Sequence, residues 1–306
     1  MIEDTFCEAF EGLFTQLQVT AYDEIFLKRA INSFTALPST VFGDAEGGIV
    51  KWLDKNETID GRIGAIVQLW VTGTNEKAIS KLYEQLGRRV RQGILVVPTT
   101  AVYDNFPEDV DTEFDVMDNI GHCGDGYEEM VEKYERNLIS VPIMMGYDFL
   151  IERDIKFGEG IMGGNLWIMA ANIEAGINIG RRAVEIIEKI DNVCTTFDVC
   201  SAGSKPETNF PEIGPSTNHP YCPTLKNKIP HSEFKVPIGV KSIPEIIFNA
   251  LDIDTIKYTM KRVIEEIIEM KGLFKISAGN YGGELGKFQI YLRDLGLPDK
   301  YFEEQD

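Results

Sequence analysis

Twice along this 306-residue chain the apolar spacing alternates between two and about 3.6 in the same order. Strands place apolar residues at every second position and helices at every third or fourth, so the alternation reads directly as element type. In the first half, Leu17 to Thr20 reads as a strand, and Phe26, Leu27, Ala30, Ile31 and Phe34 stripe a helix. A strand is expected near Thr40-Val41-Phe42 and another over Ala65 to Val71. Asn75 caps a second helix striped by Ile79, Leu82, Leu86 and Val90, with Gly93 as its stop and Ile94 to Val97 as the closing strand. The second half repeats this. Leu166 to Met169 is a strand, and Ile179, Ala183, Ile186, Ile187 and Ile190 stripe a helix. Strands follow over Val193 to Phe197 and Glu245 to Phe248. The most periodic helix carries Ile256, Met260, Val263, Ile264, Ile267 and Ile268, and Leu273 to Ser277 closes the half. Two successive β-α-β-β-α-β units predict an α+β protein with two ferredoxin-like (split βαβ) lobes in tandem. The lobes are expected over 1–145 (N-terminal, proximal) and 146–306 (C-terminal, distal).

Charge narrows the function classes. Forty-nine acidic residues against 30 basic ones leave a net charge of −19. A field of that sign repels phosphate backbones and anionic lipid, so neither nucleic acid nor a membrane is an expected partner. No apolar run reaches the ~20 residues a membrane span needs. The acidic start, Met1-Ile2-Glu3-Asp4, is unlike a secretory leader. Five cysteines with no CxxC pair suit a reducing compartment, and the expected location is cytoplasmic. An anionic ligand would require a local basic patch, for which Arg88, Arg89 and Arg91 are the candidates. Their plainer role is to complement a helix C-terminus.

Most short motifs have an ordinary structural reading. Gly158-Glu159-Gly160-Ile161-Met162-Gly163 has G-x-G-x-x-G spacing, but it leads into a strand, where a phosphate turn must open a helix. His122, His219 and His231 show no metal-ligand spacing, so no metal site is expected. Ser277-Ala278-Gly279-Asn280-Tyr281-Gly282-Gly283 differs from these, because so many glycines after a strand favour close backbone approach to a ligand over a simple turn. Glu245 begins an apolar strand. Its carboxyl is either an edge group facing water or a desolvated acid that stays protonated near neutrality.

Several segments, in order from end to end, resemble formylmethanofuran:tetrahydromethanopterin formyltransferase. They are Ile2 to Phe10, Asp60-Gly61-Arg62, Gly124-Asp125-Gly126-Tyr127, Gly163-Gly164-Asn165, Ser216-Thr217-Asn218, Tyr221-Cys222-Pro223-Thr224 and Lys275 to Gly283. The resemblance implies two ferredoxin-like lobes and a homo-oligomer, dimer or tetramer, with active sites near subunit interfaces. It implies formyl transfer between methanofuran and tetrahydromethanopterin, both acting as coenzyme substrates, with no permanently bound cofactor. The family's catalytic glutamate aligns with Glu245. The implied coenzyme-binding residues are Asp125, Gly126, Tyr127, Asn165, Thr217, Asn218, Tyr221, Ser277, Ala278, Gly279, Asn280 and Tyr281. The chain departs from the family pattern at Phe34 to Pro38, at Gly87-Arg88-Arg89, over Phe197 to Lys205 and at Cys123. These departures leave open a rival reading, a non-catalytic paralogue serving as subunit of a larger one-carbon or hydrogenase complex. A small-molecule sensor is a third reading.

Overall fold

The computed structural model describes residues 1–37, 44–206, 209–214, 216–226, 228–229 and 234–302. The strand expected at Thr40-Val41-Phe42 and His231 therefore lie outside the described residues. The chain divides into two compact units that exchange segments. One comprises Met1–Phe10, Gly163–Ile190 and Phe197–Asp306, the other Glu11–Met162 and Asp191–Thr196.

The second of these units begins within β1 (Phe6–Ala21), followed by α1 (Glu24–Phe34), β2 (Glu46–Leu53), β3 (Ile63–Thr72) and α2 (Glu76–Arg89). β1 and β3 pair antiparallel from Gly12↔Thr72 to Ala21↔Ile63. Asp23 caps α1 by accepting from the Phe26 N–H at 2.9 Å. Asn75 caps α2 by accepting from Lys77 and Ala78, each at 3.1 Å. Such caps satisfy N–H groups that have no partner inside the helix. Leu27, Ala30, Ile31 and Phe34 of α1 meet Leu82 and Leu86 of α2 in one core.

α2 does not stop where the sequence suggests. Its stripe continues through Val90 and Ile94, both fully buried, in a π-helical turn over Val90–Leu95. Ile94 to Val97 is therefore no strand, and the next strand is β4 (Ala101–Asp104). Gly93 serves close packing here. A Cβ at that position would sit 3.2 Å from the Phe34 nitrogen.

Short strands β5 (Glu113–Asp115), β6 (Glu129–Lys133), β7 (Arg136–Ile143) and β8 (Tyr147–Glu152) complete this part with β9 (Asp154–Ala170). β6, β7 and β8 form an antiparallel meander, whereas β8 joins β4 in parallel. β10 (Val193–Thr195), read from the sequence as a second-lobe strand, pairs instead with β2 through Thr195↔Ile49.

The other unit carries α3 (Ile173–Ile187), β11 (Glu245–Ala250), α4 (Ile253–Ile267), β12 (Leu273–Ser277) and β13 (Phe288–Tyr291). Asn172 and Asp252 cap the two helices. β12 pairs antiparallel with β9, bringing Ser277 opposite Trp167. β13 pairs with the first residues of β1, from Phe6↔Tyr291 to Ala9↔Phe288.

The expectation of two tandem ferredoxin-like lobes is corrected. The strands include a closed six-stranded antiparallel barrel with extra strands. Periodicity identifies elements from neighbours three or four residues away, but strand pairing is a choice among distant partners. β10 makes that choice against the repeat.

Candidate active site

Glu245 opens β11 immediately after Pro244, and its position is fixed from two sides. On the backbone it forms an antiparallel bridge with Cys200, with N–H to O distances of 2.8 and 2.9 Å. On the side chain, the Trp167 indole N–H donates to Glu245 Oε1 at 2.9 Å. Trp167 is buried, and Tyr221 packs edge-on against it with ring centroids 4.8 Å apart.

A cavity of about 890 Å³ opens here, lined by Glu245, Trp167, Asn218, Tyr221, Cys222 and the segment Phe197–Ser204 among others. That volume suits a drug-sized organic ligand. Burial holds the Glu245 carboxyl above its ordinary range, and the indole donor opposes the shift only in part. A carboxylate in such surroundings loses hydration it cannot recover, so the neutral acid is favoured. A neutral acid can donate a hydrogen bond to an oxygen that is gaining negative charge.

The remaining wall is acidic. Arg181 is accompanied by Glu185, Glu188 and Asp198. Burial, then the charges of Asp198 and Glu185, raise Glu188. The two cysteines behave oppositely. Burial and then the nearby Glu245 push the Cys200 thiol up to about 11. Burial also raises Cys222, but hydrogen bonds with Ser204 and Thr224 outweigh it and leave that thiol below its ordinary value.

Three residues singled out from the sequence line this cavity directly: Glu245, Asn218 and Tyr221. Thr217 ties their loop down, since its Oγ accepts from the Lys205 N–H at 2.5 Å. Asn165 and Gly279 bond each other reciprocally, at 2.6 and 3.3 Å. Ser277 and Ala278 are buried. Asn280 donates to Thr5 Oγ and to the Phe6 carbonyl, and the Tyr281 N–H donates to Glu8 at 2.8 Å. Burial, followed by the charges of Glu245 and Glu8, raises the Tyr281 phenol. Asp125, Gly126 and Tyr127 belong to the other unit and do not line the cavity. Asp125 is left-handed at φ 54°, the Gly126 N–H donates to Glu128, and Tyr127 is exposed.

Elsewhere the geometry favours the plainer readings. Gly158 to Gly163 lies inside β9. Arg89 donates to the carbonyls of Phe34, Ala36 and Ala45, and Arg88 pairs with Glu84, so the basic cluster at the end of α2 is engaged in structure. Sequence reasoning missed Trp167, Cys200 and Ser201 to Ser204 as cavity residues. Trp167 read only as a strand residue, because its carboxyl partner lies 78 positions away.

Residues 1–143 match the family model for formylmethanofuran-tetrahydromethanopterin formyltransferase, and residues 147–295 match a model described as "FTR, proximal lobe". The formyltransferase of Methanocaldococcus jannaschii is 36% identical over 300 residues, covering 96% of this chain and 97% of the relative. The chain belongs to the formylmethanofuran-tetrahydromethanopterin formyltransferase family.

Within that family, a formyltransferase-like protein of Archaeoglobus fulgidus is 52% identical over 294 residues, covering 96% of each chain. The solved formyltransferase of Methanosarcina barkeri superimposes with a TM-score of 0.85 at 34% identity, covering 96% of this chain and 97% of that one. A chain of the formyltransferase/hydrolase complex of Methylorubrum extorquens, solved with methylofuran, gives 0.80 at 29% identity, with 96% of each covered. Among the described residues, no helix is long and apolar enough to cross a membrane.

Proposed function

We propose that the chain transfers a formyl group from formylmethanofuran to tetrahydromethanopterin, with neutral Glu245 as the assisting acid. The observation that carries the reading is Glu245 itself, a desolvated carboxyl in the wall of a cavity of about 890 Å³, which burial moves toward its neutral form. A formamide is a poor electrophile. As a pterin ring nitrogen attacks the formyl carbon, the carbonyl π bond opens and its oxygen gains charge. A hydrogen bond from Glu245 to that oxygen lowers the barrier. The carbon–nitrogen bond to methanofuran then breaks, and the departing amine takes a proton, with the proton of the attacking nitrogen balancing the exchange. Both coenzymes are substrates, and holding them in register supplies further rate.

The family resemblance also supports a homo-oligomer of two or four copies, a cytoplasmic location and the absence of a permanently bound cofactor. The matched segments, meeting between residues 143 and 147, support a division of the sequence near residue 145. The relatives named as formyltransferases weigh against the rival reading of a silent subunit.

Purified protein, formylmethanofuran and tetrahydromethanopterin suffice for the test. The expected result is formyl-pterin formation that falls ~100-fold or more in Glu245→Gln. Unchanged turnover in that variant removes Glu245 from the mechanism, and no turnover in the wild-type protein favours the silent subunit.

A further inference from the structure

We infer that Trp167 is a positioning residue that decides which oxygen of Glu245 carries the proton, and that Asn165 and Gly279 serve the active site by holding the indole in place. This rests on Glu245 being the acid proposed above, although its test does not require turnover.

The indole N–H is a donor only. It points at Oε1 from 2.9 Å. In a neutral carboxyl one oxygen bears hydrogen and the other is the better acceptor. A fixed donor on Oε1 therefore assigns the acceptor role to Oε1 and leaves the proton on Oε2. Without that donor the proton exchanges freely between the two oxygens, and only part of the population can donate in the required direction.

The indole cannot turn away from this task. Tyr221 meets its ring at 64° and 4.8 Å. On another side lies Gly279, where an added Cβ would come 2.9 Å from Trp167 Cζ2 and 3.0 Å from Nε1. Gly279 is clamped in turn by Asn165, which accepts from its N–H at 2.6 Å and donates to its carbonyl at 3.3 Å. Asn165 and Trp167 are two residues apart on β9 and so project from the same face. One strand thus supplies both the indole and the side chain that anchors the backbone packed on it. This explains a glycine at 279 without any ligand touching it: space for the indole requires the missing Cβ.

The test follows the protonation of Glu245 itself. Infrared difference spectra between the wild-type protein and Glu245→Gln isolate the carboxyl absorption, which is titrated against pH. Trp167→Phe keeps the ring and removes the donor. Because the N–H stabilises the carboxylate, its loss is expected to move the midpoint upward and to lower kcat ~10-fold with little change in KM. Gly279→Ala is the second variant. It retains the donor but displaces the ring, and the same upward direction is expected.

A midpoint that stays put or falls in Trp167→Phe overturns the assignment. If that variant does not fold, an unmoved midpoint in Gly279→Ala overturns it equally. Should the midpoint rise in a protein that transfers no formyl group, the positioning role stands and the proposed reaction falls. Should transfer proceed with an unmoved midpoint, the reverse holds.

Discussion

Cys200 and Glu245 are bridged backbone to backbone, each N–H donating to the other's carbonyl, across 45 residues of sequence. The bridge brings a thiol next to a desolvated carboxyl and makes the 200–204 segment a wall of the cavity. This segment departs from the family pattern, so the acid and the loop beside it are coupled by main-chain bonds that side-chain changes do not sever.

The two cavity thiols should therefore react differently. Cys200, pushed up to about 11, stays protonated at neutral pH, whereas Cys222 lies below its ordinary value. Because the thiolate is the nucleophile, iodoacetamide near pH ~8 is expected to label Cys222 at least ~10-fold faster than Cys200. Peptide mass spectrometry over time reads both rates, and equal rates contradict the assignment.

Glu245 also makes stability depend on pH. Its folded pKa is raised by burial above the unfolded value. For such an acid, the favourable contribution is complete below the unfolded pKa and is lost as pH rises through the folded one. Glu245→Gln carries no charge to desolvate. Its melting temperature relative to the wild-type protein should be constant in acid, climb with pH between the unfolded and the folded pKa, and level off above the folded one. A difference independent of pH argues against a neutral Glu245.

Asp60 carries the opposite sign. Burial raises its pKa, but bonds from Arg62, Thr20 and Tyr103 outweigh this and leave it lowered. Arg62 Nη2 and Thr20 Oγ lie 2.5 and 2.7 Å from Asp60 Oδ2. Stability from a lowered carboxyl is present above the unfolded value, ~3.9, and fades as pH falls through the folded pKa. Asp60→Asn is expected to cost about 3 kcal/mol at neutral pH, because it leaves a half-buried guanidinium without its charge partner. Denaturant titrations at neutral and acid pH check both the size and its disappearance.

Gly164 tests packing beside the site. A Cβ there would lie 2.7 Å from Phe248 Cε2 and 3.0 Å from Ile256 Cδ1. Both side chains are fully buried and have little room to move. Gly164→Ala is expected to destabilise by about 1–3 kcal/mol in thermal denaturation, the usual cost of overfilling a core. A neutral effect would mean that the phenyl ring shifts without strain.

Helices were the most legible part of the chain. The Phe26 to Phe34 and Ile256 to Ile267 stripes specify a buried face from residues one turn apart, and tertiary contacts only had to accept them. The end of α2 is not legible at Gly93, because a glycine marks either a stop or a close approach. Only the backbone of α1 packed against it distinguishes the two. At the site, Glu245 stood out through its place at an apolar strand start and through family resemblance. Asn165 and Gly279 also stood out, as ligand contacts, and their bond to each other is what only the structure adds.

What the amino-acid order determined by itself is local: which segments curl, which extend, and where Asp23, Asn75, Asn172 and Asp252 begin a helix. Tertiary structure decided the pairing of Thr195 with Ile49 and the reach of the Trp167 indole to Glu245. Element type follows from backbone sterics and spacing within a turn or two. Strand partnership and the protonation of a buried acid depend on groups that meet only after distant segments have packed and water has been excluded.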